Sequence, residues 1–465
     1  MGKRSRSKKG ATVELACLGE PLAELRFTEP LFQMALHPTK PIILSGLATG
    51  FVYCHSYDAG KLQETVNENK KKVIVEGENK PFWTSIDVEK QETTDAITLM
   101  WRTRRHKGSV RCLCLDPEGE YVYSVGTDNV LKKAVTGTGK VVKKTSFKDQ
   151  KLKFTKMIRS PTHAYLLLGD EDGNVMVLNS DTLELTNKVH KIHGGDAIND
   201  IFQFAKRSVH KYISVGQTTM GYWDARESNE SDLQIPDDDE DAKRKVLLSD
   251  DQEDEILCGT FVDPEAGDTI VCGMGEGVLT VWKPQKNDLE DQVNRIKICP
   301  NESIDCIVPT LQDDNGVWCG GSSGNLYRAD VKGGRVVEVR RHSDIDEVTF
   351  LDLDYEYRVV SGGMDKIVLW HSVSEDEDQK ENESSDEDQS NEEEIEVDTS
   401  DDESASDDSD TMVGLSRVEL IAELDKDLQG SSEEEEEKKE KPKNKKRRVP
   451  GKLAASHGIT KFEGL

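Results

Sequence analysis

The chain has 465 residues, with 61 Lys and Arg against 90 Asp and Glu, and a formal charge of −29. That charge is local: residues 227–255 hold 13 acids and 3 bases and residues 375–410 hold 20 acids and 1 base, so the remainder is neutral overall. With a mean hydropathy of −0.64 and no apolar run near the roughly 18 residues that a membrane-spanning helix needs, a helical membrane protein is excluded.

Residues 1–11 form a basic arm, MGKRSRSKKGA, expected to be disordered. No apolar stretch follows its charges, so it does not read as a secretory signal. Arg6 stands where a myristoylation site needs Ser or Thr. The apolar positions Leu22, Leu25 and Phe27 suit a strand that completes the last sheet of a ring.

From there one phrase recurs. It is clearest at Cys272–Trp282, CGMGEGVLTVW, where a strand ends at glycine, a tight turn follows, and an alternating apolar strand leaves toward Trp. Related phrases are LSGLATGFVYCH, SVGTDNVLKKAV, LLGDEDGNVMVL, SVGQTTMGYWD, CGGSSGNLYRAD and SGGMDKIVLW. Each reads as a hairpin, with Gly, Asp and Asn supplying positive backbone dihedrals between runs of Val, Ile, Leu and Tyr. Four phrases keep glycines at both ends of the turn: Gly46 and Gly50, Gly169 and Gly173, Gly273 and Gly277, Gly320 and Gly324. The first glycines fall at 46, 126, 169, 216, 273, 320 and 362. A spacing of roughly 40 to 45 residues per four-stranded unit defines an all-β, WD-repeat β-propeller over residues 12–374. Seven blades are expected, with eight as the alternative.

The two long intervals imply insertions. Residues 61–96 read as a long connection or an extra irregular blade, and the acidic residues 227–255 as an interruption of the fourth blade. Beyond residue 374 the composition turns acidic and nearly free of aromatic residues, too poor in apolar area to offset its ordering entropy. In this tail, residues 375–465, only 416–428 suggest a helix: Ser416 and Glu419 form a capping-box pair, and Val418, Ile421, Leu424 and Leu428 share one side. Such a segment suits docking to a partner.

WD-type propellers brace each blade with His, Ser or Thr, Asp and Trp. His342, Ser361, Asp365 and Trp370 match in the seventh repeat. The second offers His106, Ser124 and Asp128, with Val135 where Trp is expected. These are structural sets and not hydrolase triads, because no GxSxG elbow exposes a serine. GxxxxGK[ST], HExxH and calcium-loop patterns are absent, so no catalytic residue, cofactor or metal site is expected. Nine scattered cysteines without a CxxC pair suit reduced thiols.

Ten bases lie between Lys132 and Arg159: Lys132, Lys133, Lys140, Lys143, Lys144, Lys148, Lys151, Lys153, Lys156 and Arg159, against one acid, Asp149. They fit RNA phosphates along a blade edge, internal pairing with the acidic tail, or a solvated edge that resists aggregation. Ser374, Ser384, Ser385, Ser400 and Ser404 each precede an acid by three residues and suit an acid-directed kinase. Lys445, Lys446, Arg447 and Arg448 form a nuclear-targeting type of cluster.

The repeat phrases FQMALHPTKPIILSG and RVVSGGMDKIVLWH, the acidic tail and KKRR together resemble the WD repeat-containing protein 55 family, whose fungal members are called Jip-five. The resemblance covers nearly the whole chain. It implies a nucleolar, non-enzymatic scaffold for ribosomal RNA processing and large-subunit assembly, with pre-ribosomal protein partners and one copy per complex. The alternative from another class is a chromatin or ubiquitin-ligase adaptor that recognises a protein peptide.

Overall fold

The computed structural model describes residues 19–76, 81–147, 152–231 and 244–371, with backbone alone at 73–76. The basic arm at 1–11, the acidic tail with its five serines, the 416–428 segment, Lys148, Lys151 and Lys445 to Arg448 lie outside the described residues.

Strand β1 (Pro21–Arg26) comes first and belongs to the last blade. Blade 1 contains β2 (Leu31–Leu36), β3 (Ile42–Leu47) and β4 (Phe51–Tyr57); helix α1 (Ala59–Glu76) and β5 (Thr84–Asp87) intervene before its outer strand β6 (Ile97–Arg104). Blade 2 is β7 (Val110–Leu115), β8 (Tyr121–Gly126), β9 (Val130–Val135) and β10 (Val141–Ser146). Blade 3 is β11 (Phe154–Arg159), β12 (Tyr165–Asp170), β13 (Val175–Asn179) and β14 (Leu185–Val189). Blade 4 is β15 (Asp200–Gln203), β16 (Lys211–Val215), β17 (Met220–Asp224) and the two-residue β18 (Leu247–Leu248). Blade 5 is β19 (Ile256–Phe261), β20 (Ile270–Met274), β21 (Val278–Trp282) and, after the short α2 (Pro284–Asn287), β22 (Asn294–Lys297). Blade 6 is β23 (Ile304–Pro309), β24 (Gly316–Gly321), β25 (Asn325–Asp330) and β26 (Arg335–Arg341). Blade 7 is β27 (Phe350–Leu353), β28 (Val359–Gly362) and β29 (Lys366–Trp370), completed by β1 and β5. The protein is a seven-bladed β-propeller, and the eighth blade does not form among the described residues.

Closure uses the N-terminal strand. β1 runs antiparallel to β29, with Leu25 opposite Ile367 and Arg26 opposite Lys366. The core is divided into slabs between neighbouring blades, for example Leu44, Val52 and Cys54 of blade 1 against Val110, Leu113 and Val122 of blade 2. The closure slab joins Leu22 and Leu25 to Leu31, Ile43, Ile367 and Leu369.

The 61–96 connection holds α1 and β5 and does not make an extra blade among the described residues. Asp58 caps α1, its Oδ1 accepting the N–H of Lys61 at 3.1 Å. Leu62 and Val66, one turn apart, bury into the closure slab. β5 then adds parallel to β1, with Leu25 opposite Ile86, as a fifth strand. The acidic interruption also ends earlier than expected, since residues 247–248 already form the outer strand of blade 4.

The paired glycines divide their work. Gly50, Gly173, Gly277 and Gly324 close the turns at φ of +82°, +75°, +74° and +70°, where a Cβ is strained. Their partners Gly46, Gly169, Gly273 and Gly320 are needed for space: a Cβ there would lie 2.7–2.8 Å from Val110, Ile198, Ile304 or Val348 of the next blade.

Leu25 is 1% exposed, so Leu25→Ala should destabilise the ring by about 2–5 kcal/mol. Thermal unfolding checks this, and an unchanged midpoint would show that β1 does not hold the ring closed.

Candidate functional site

The polar sets inside the blades come first because they decide whether the chain has exposed chemistry. In blade 2, His106 bonds Asp128 through Nδ1 at 3.0 Å and Ser124 through Nε2 at 2.9 Å. In blade 4, His193 bonds Thr219 through Nδ1 at 2.8 Å and Ser214 through Nε2 at 2.9 Å, and Trp223 donates to Ser214 at 3.1 Å. The fourth set is not apparent in the sequence because Thr219 replaces the usual Asp. In blade 7, Ser361 Oγ takes Trp370 Nε1 at 2.8 Å and meets His342 Nδ1 at 2.8 Å. Asp365, expected to complete that network, lies instead against Asp346: burial and a hydrogen bond with the Asp346 carboxyl hold its own carboxyl above the usual range.

These sets are braces. Ser124, Ser214 and Ser361 are buried, so no substrate reaches their hydroxyls. Burial holds His106 and His342 down to about 4 and His193 down to about 3, which keeps the imidazoles neutral at pH 7.

The ten bases of residues 132–159 do not form one stripe. Lys132 donates to the Arg105 carbonyl. Lys133 is buried, its Nζ 2.9 Å from Asp181 and 4.2 Å from the Tyr121 ring centroid. Arg159 donates to backbone carbonyls of Ser160 and His163. Lys153 pairs with Glu171 at 2.6 Å. Lys156, on the innermost strand of blade 3, pairs with Asp200 at 2.8 Å and lines the central channel. Of the eight described, Lys140, Lys143 and Lys144 remain on the exposed outer edge of blade 2.

Blade 1 carries basic residues on its own outer strand. Along β6 the exposed residues alternate, Thr98, Met100, Arg102 and Arg104. Trp101 Nε1 donates to the Thr136 carbonyl at 2.6 Å, and Arg105 Nη2 to the Gly139 carbonyl at 3.0 Å, tying the outer strand of blade 1 to the outer turn of blade 2. The Arg102 guanidinium sits 4.5 Å from the Phe51 ring centroid. The outer edge of blade 2 carries Lys140, Lys143 and Lys144 with exposed Val141 and Val142 among them, whereas Arg102 and Arg104 lie on the face of β6 opposite Trp101, beside Tyr53 and Phe51 and turned away from blade 2. The two arginines could have been found from the alternation in ITLMWRTR.

The first strands of the blades surround a channel cavity of about 310 Å³. Its polar lining includes the Lys156–Asp200 pair, Asn199, Asp305 and Thr349. Burial raises the Asp305 carboxyl, and burial raises Asp352 near one mouth to about 6. All eight described cysteines are free thiols; burial pushes those of Cys54, Cys112 and Cys299 up to about 12, making them poor nucleophiles. Among the described residues no helix is long and apolar enough to cross a membrane.

This architecture is that of a WD-repeat propeller, a fold that typically serves as a scaffold for protein interactions and not as a catalyst. The WD domain, G-beta repeat, matches residues 98–132, a unit running from the outer strand of blade 1 through the third strand of blade 2. WD repeat-containing protein JIP5 of Eremothecium gossypii is 52% identical across the full length of both chains. The protein of the same name from Vanderwaltozyma polyspora is 60% identical over 81% of this chain and 70% of its own, and that of Saccharomyces cerevisiae 47% over 86% and 87%. The chain belongs to the WD repeat-containing protein JIP5 family.

His193 carries a pH prediction. Its folded-state value lies below the unfolded 6.5, so the unfolded chain gains the proton first and this group loses stability as pH falls from 6.5 toward 3. His193→Asn should be less stable than the wild type at pH 7, and that gap should shrink by about 2 kcal/mol by pH 5. Denaturant unfolding at the two pH values measures it; a constant gap contradicts the neutral, buried ring.

Proposed function

We propose that this chain is a non-catalytic nucleolar scaffold in ribosome biogenesis, supporting ribosomal RNA processing and large-subunit assembly as one copy within a pre-ribosomal complex. The observation that carries this reading is the separation of roles in the propeller. The brace residues His106, His193, His342, Ser124, Ser214 and Ser361 are sealed inside the blades, whereas Lys140, Lys143 and Lys144 are exposed on the outer edge of blade 2 and Arg102 and Arg104 on the outer strand of blade 1. Membership of the JIP5 family, the KKRR cluster and the basic arm support the same assignment. The blade 2 edge is suited to RNA phosphates, with exposed Val141 and Val142 offering apolar contact. The acidic serine-rich tail is a target for an acid-directed kinase.

A protein-peptide adaptor is the second reading. It is favoured by the depression of about 290 Å³ at one channel mouth, where Met34, Leu36, Pro38, Leu115, Pro117 and Pro161 surround Arg159 and Asp352. Affinity purification with and without RNase separates the two: RNase-sensitive recovery of large-subunit precursors supports the scaffold, and RNase-resistant recovery of histones or a ligase supports the adaptor. Depletion should raise large-subunit RNA precursors and lower the mature RNA, and normal levels of both would reject the first reading.

Reversing charge at Lys140, Lys143 and Lys144 should weaken RNA binding and flatten its log–log salt slope by about 2–3. Lys156→Gln, inside the channel, should leave that slope unchanged. Filter binding across a salt series reads both, and equal slopes in all three proteins would show that the blade 2 edge does not touch phosphate.

A further inference from the structure

The seventh blade departs from its sisters at one ring. His106 and His193 satisfy both nitrogens, Nε2 on the strand serine and Nδ1 on the turn acceptor. His342 spends Nδ1 on Ser361, and its Nε2 has no hydrogen-bond partner although the residue is only 4% exposed. A buried polar atom in that state carries an uncompensated desolvation cost.

What surrounds the ring is carboxylate. One ligand atom each from His342, Asp346 and Asp365 lie within 4.8 Å of one another. Asp346 belongs to the connection between blades 6 and 7, and Asp365 to the turn between β28 and β29. Asp346 Oδ2 accepts the N–H groups of Met364 at 2.7 Å and Asp365 at 3.2 Å, which fixes that carboxylate over the turn. Gly363 leaves room for the approach: a Cβ there would collide with Asp346 Oδ2 and lie 3.0 Å from His342 Nε2. Lys366, next along the chain, has its charge taken by Glu24 at 3.4 Å.

We propose that His342, Asp346 and Asp365 bind a divalent metal ion, with zinc the best match, at the closure point of the ring. One imidazole nitrogen with two carboxylate oxygens suits zinc, and water fills a remaining position. Ligand bonds of about 2.0–2.2 Å place neighbouring ligand atoms roughly 3.3 Å apart in a tetrahedron. Gathering the triad therefore takes shifts of about an ångström, which the exposed Asp365 and half-buried Asp346 side chains can supply. The bound ion would join the blade 6–7 connection to the β28–β29 turn. The N-terminal strand leaves over that same turn, with Phe27 N–H on the Asp365 carbonyl at 2.7 Å and Leu31 N–H on the Met364 carbonyl at 2.8 Å. Metal binding thus reinforces closure.

The test uses the full chain, stripped of metal and titrated with zinc against a chromophoric chelator, together with thermal unfolding with and without zinc. Any cation binding by the acidic segments is common to all variants and is subtracted as background. Wild type should bind one zinc per chain above that background and gain several degrees in Tm, and zinc-edge X-ray absorption should show an imidazole in the shell. Asp346→Asn, which leaves the His342–Ser361–Trp370 brace intact, should fold, lose at least about tenfold in affinity and lose the Tm gain; Asp365→Asn should do the same. Zinc binding and a Tm gain that survive Asp346→Asn would overturn the site. So would a wild type that binds only the background while metal-free Asp365→Asn loses stability, since the aspartate would then serve the histidine ring directly.

Discussion

The whole structure depends on pairing one exposed sheet edge. Blade 7 has only three strands from its own stretch of chain, and β29 would end the ring with unpaired backbone groups and half of a hydrophobic slab exposed. β1 supplies the missing edge and, through Leu22 and Leu25, the missing slab. α1 and β5 depend on it in turn, because Leu62, Val66 and Ile86 pack into the same slab. An open sheet edge invites pairing with other chains, and closure removes that hazard.

Within that ring the blades are braced in two ways. Blades 2, 4 and 7 hold a buried histidine against a strand serine. In blades 2 and 4 the glycine at the strand end makes room for it: a Cβ at Gly126 or Gly216 would run into the imidazole. Blades 1, 3, 5 and 6 carry the double glycine, and the space goes to an apolar residue of the next blade. These are neighbouring positions of the repeat: Gly126 stands opposite Val110 as Leu47 stands opposite Leu31, so Gly46 corresponds to Val125.

The repeat was legible because turn chemistry is local. Glycines with positive φ, strand formers on either side and a 42–47-residue spacing survive in the sequence alone, and so did the closing strand at 22–27. The first glycine of each pair was misread as a turn residue, because a close approach to the next blade leaves no local mark. The helix at 59–76 was hidden because KKVIV favours a strand, whereas its burial rests on Leu62 and Val66 meeting a strand about forty residues away in sequence. Asp365 carried the sequence pattern of the brace, but its carboxyl lies against Asp346, a residue that pattern does not include. The basic run is dispersed over the fold for a geometric reason. A blade is read outward strand by strand at about 4.8 Å per step, so Lys144 on the outer strand and Lys156 on the innermost strand of the next blade, twelve residues apart, stand at opposite radial ends.

The same geometry removes an apparent conflict between an acidic chain and the proposed RNA contact. A charge of −29 would repel a polyanion if it were spread over the surface. It is concentrated in two segments, and at physiological ionic strength the Debye length is about 8 Å. A phosphate at the blade 2 edge therefore responds chiefly to the charges within a few side-chain lengths, among the described residues Lys140, Lys143 and Lys144 around β10. Long-range attraction is weak for such a chain, so a contact there would act after other interactions have brought the partner close. That is the behaviour expected of a subunit held in a larger particle and not of a free RNA-binding protein searching by charge.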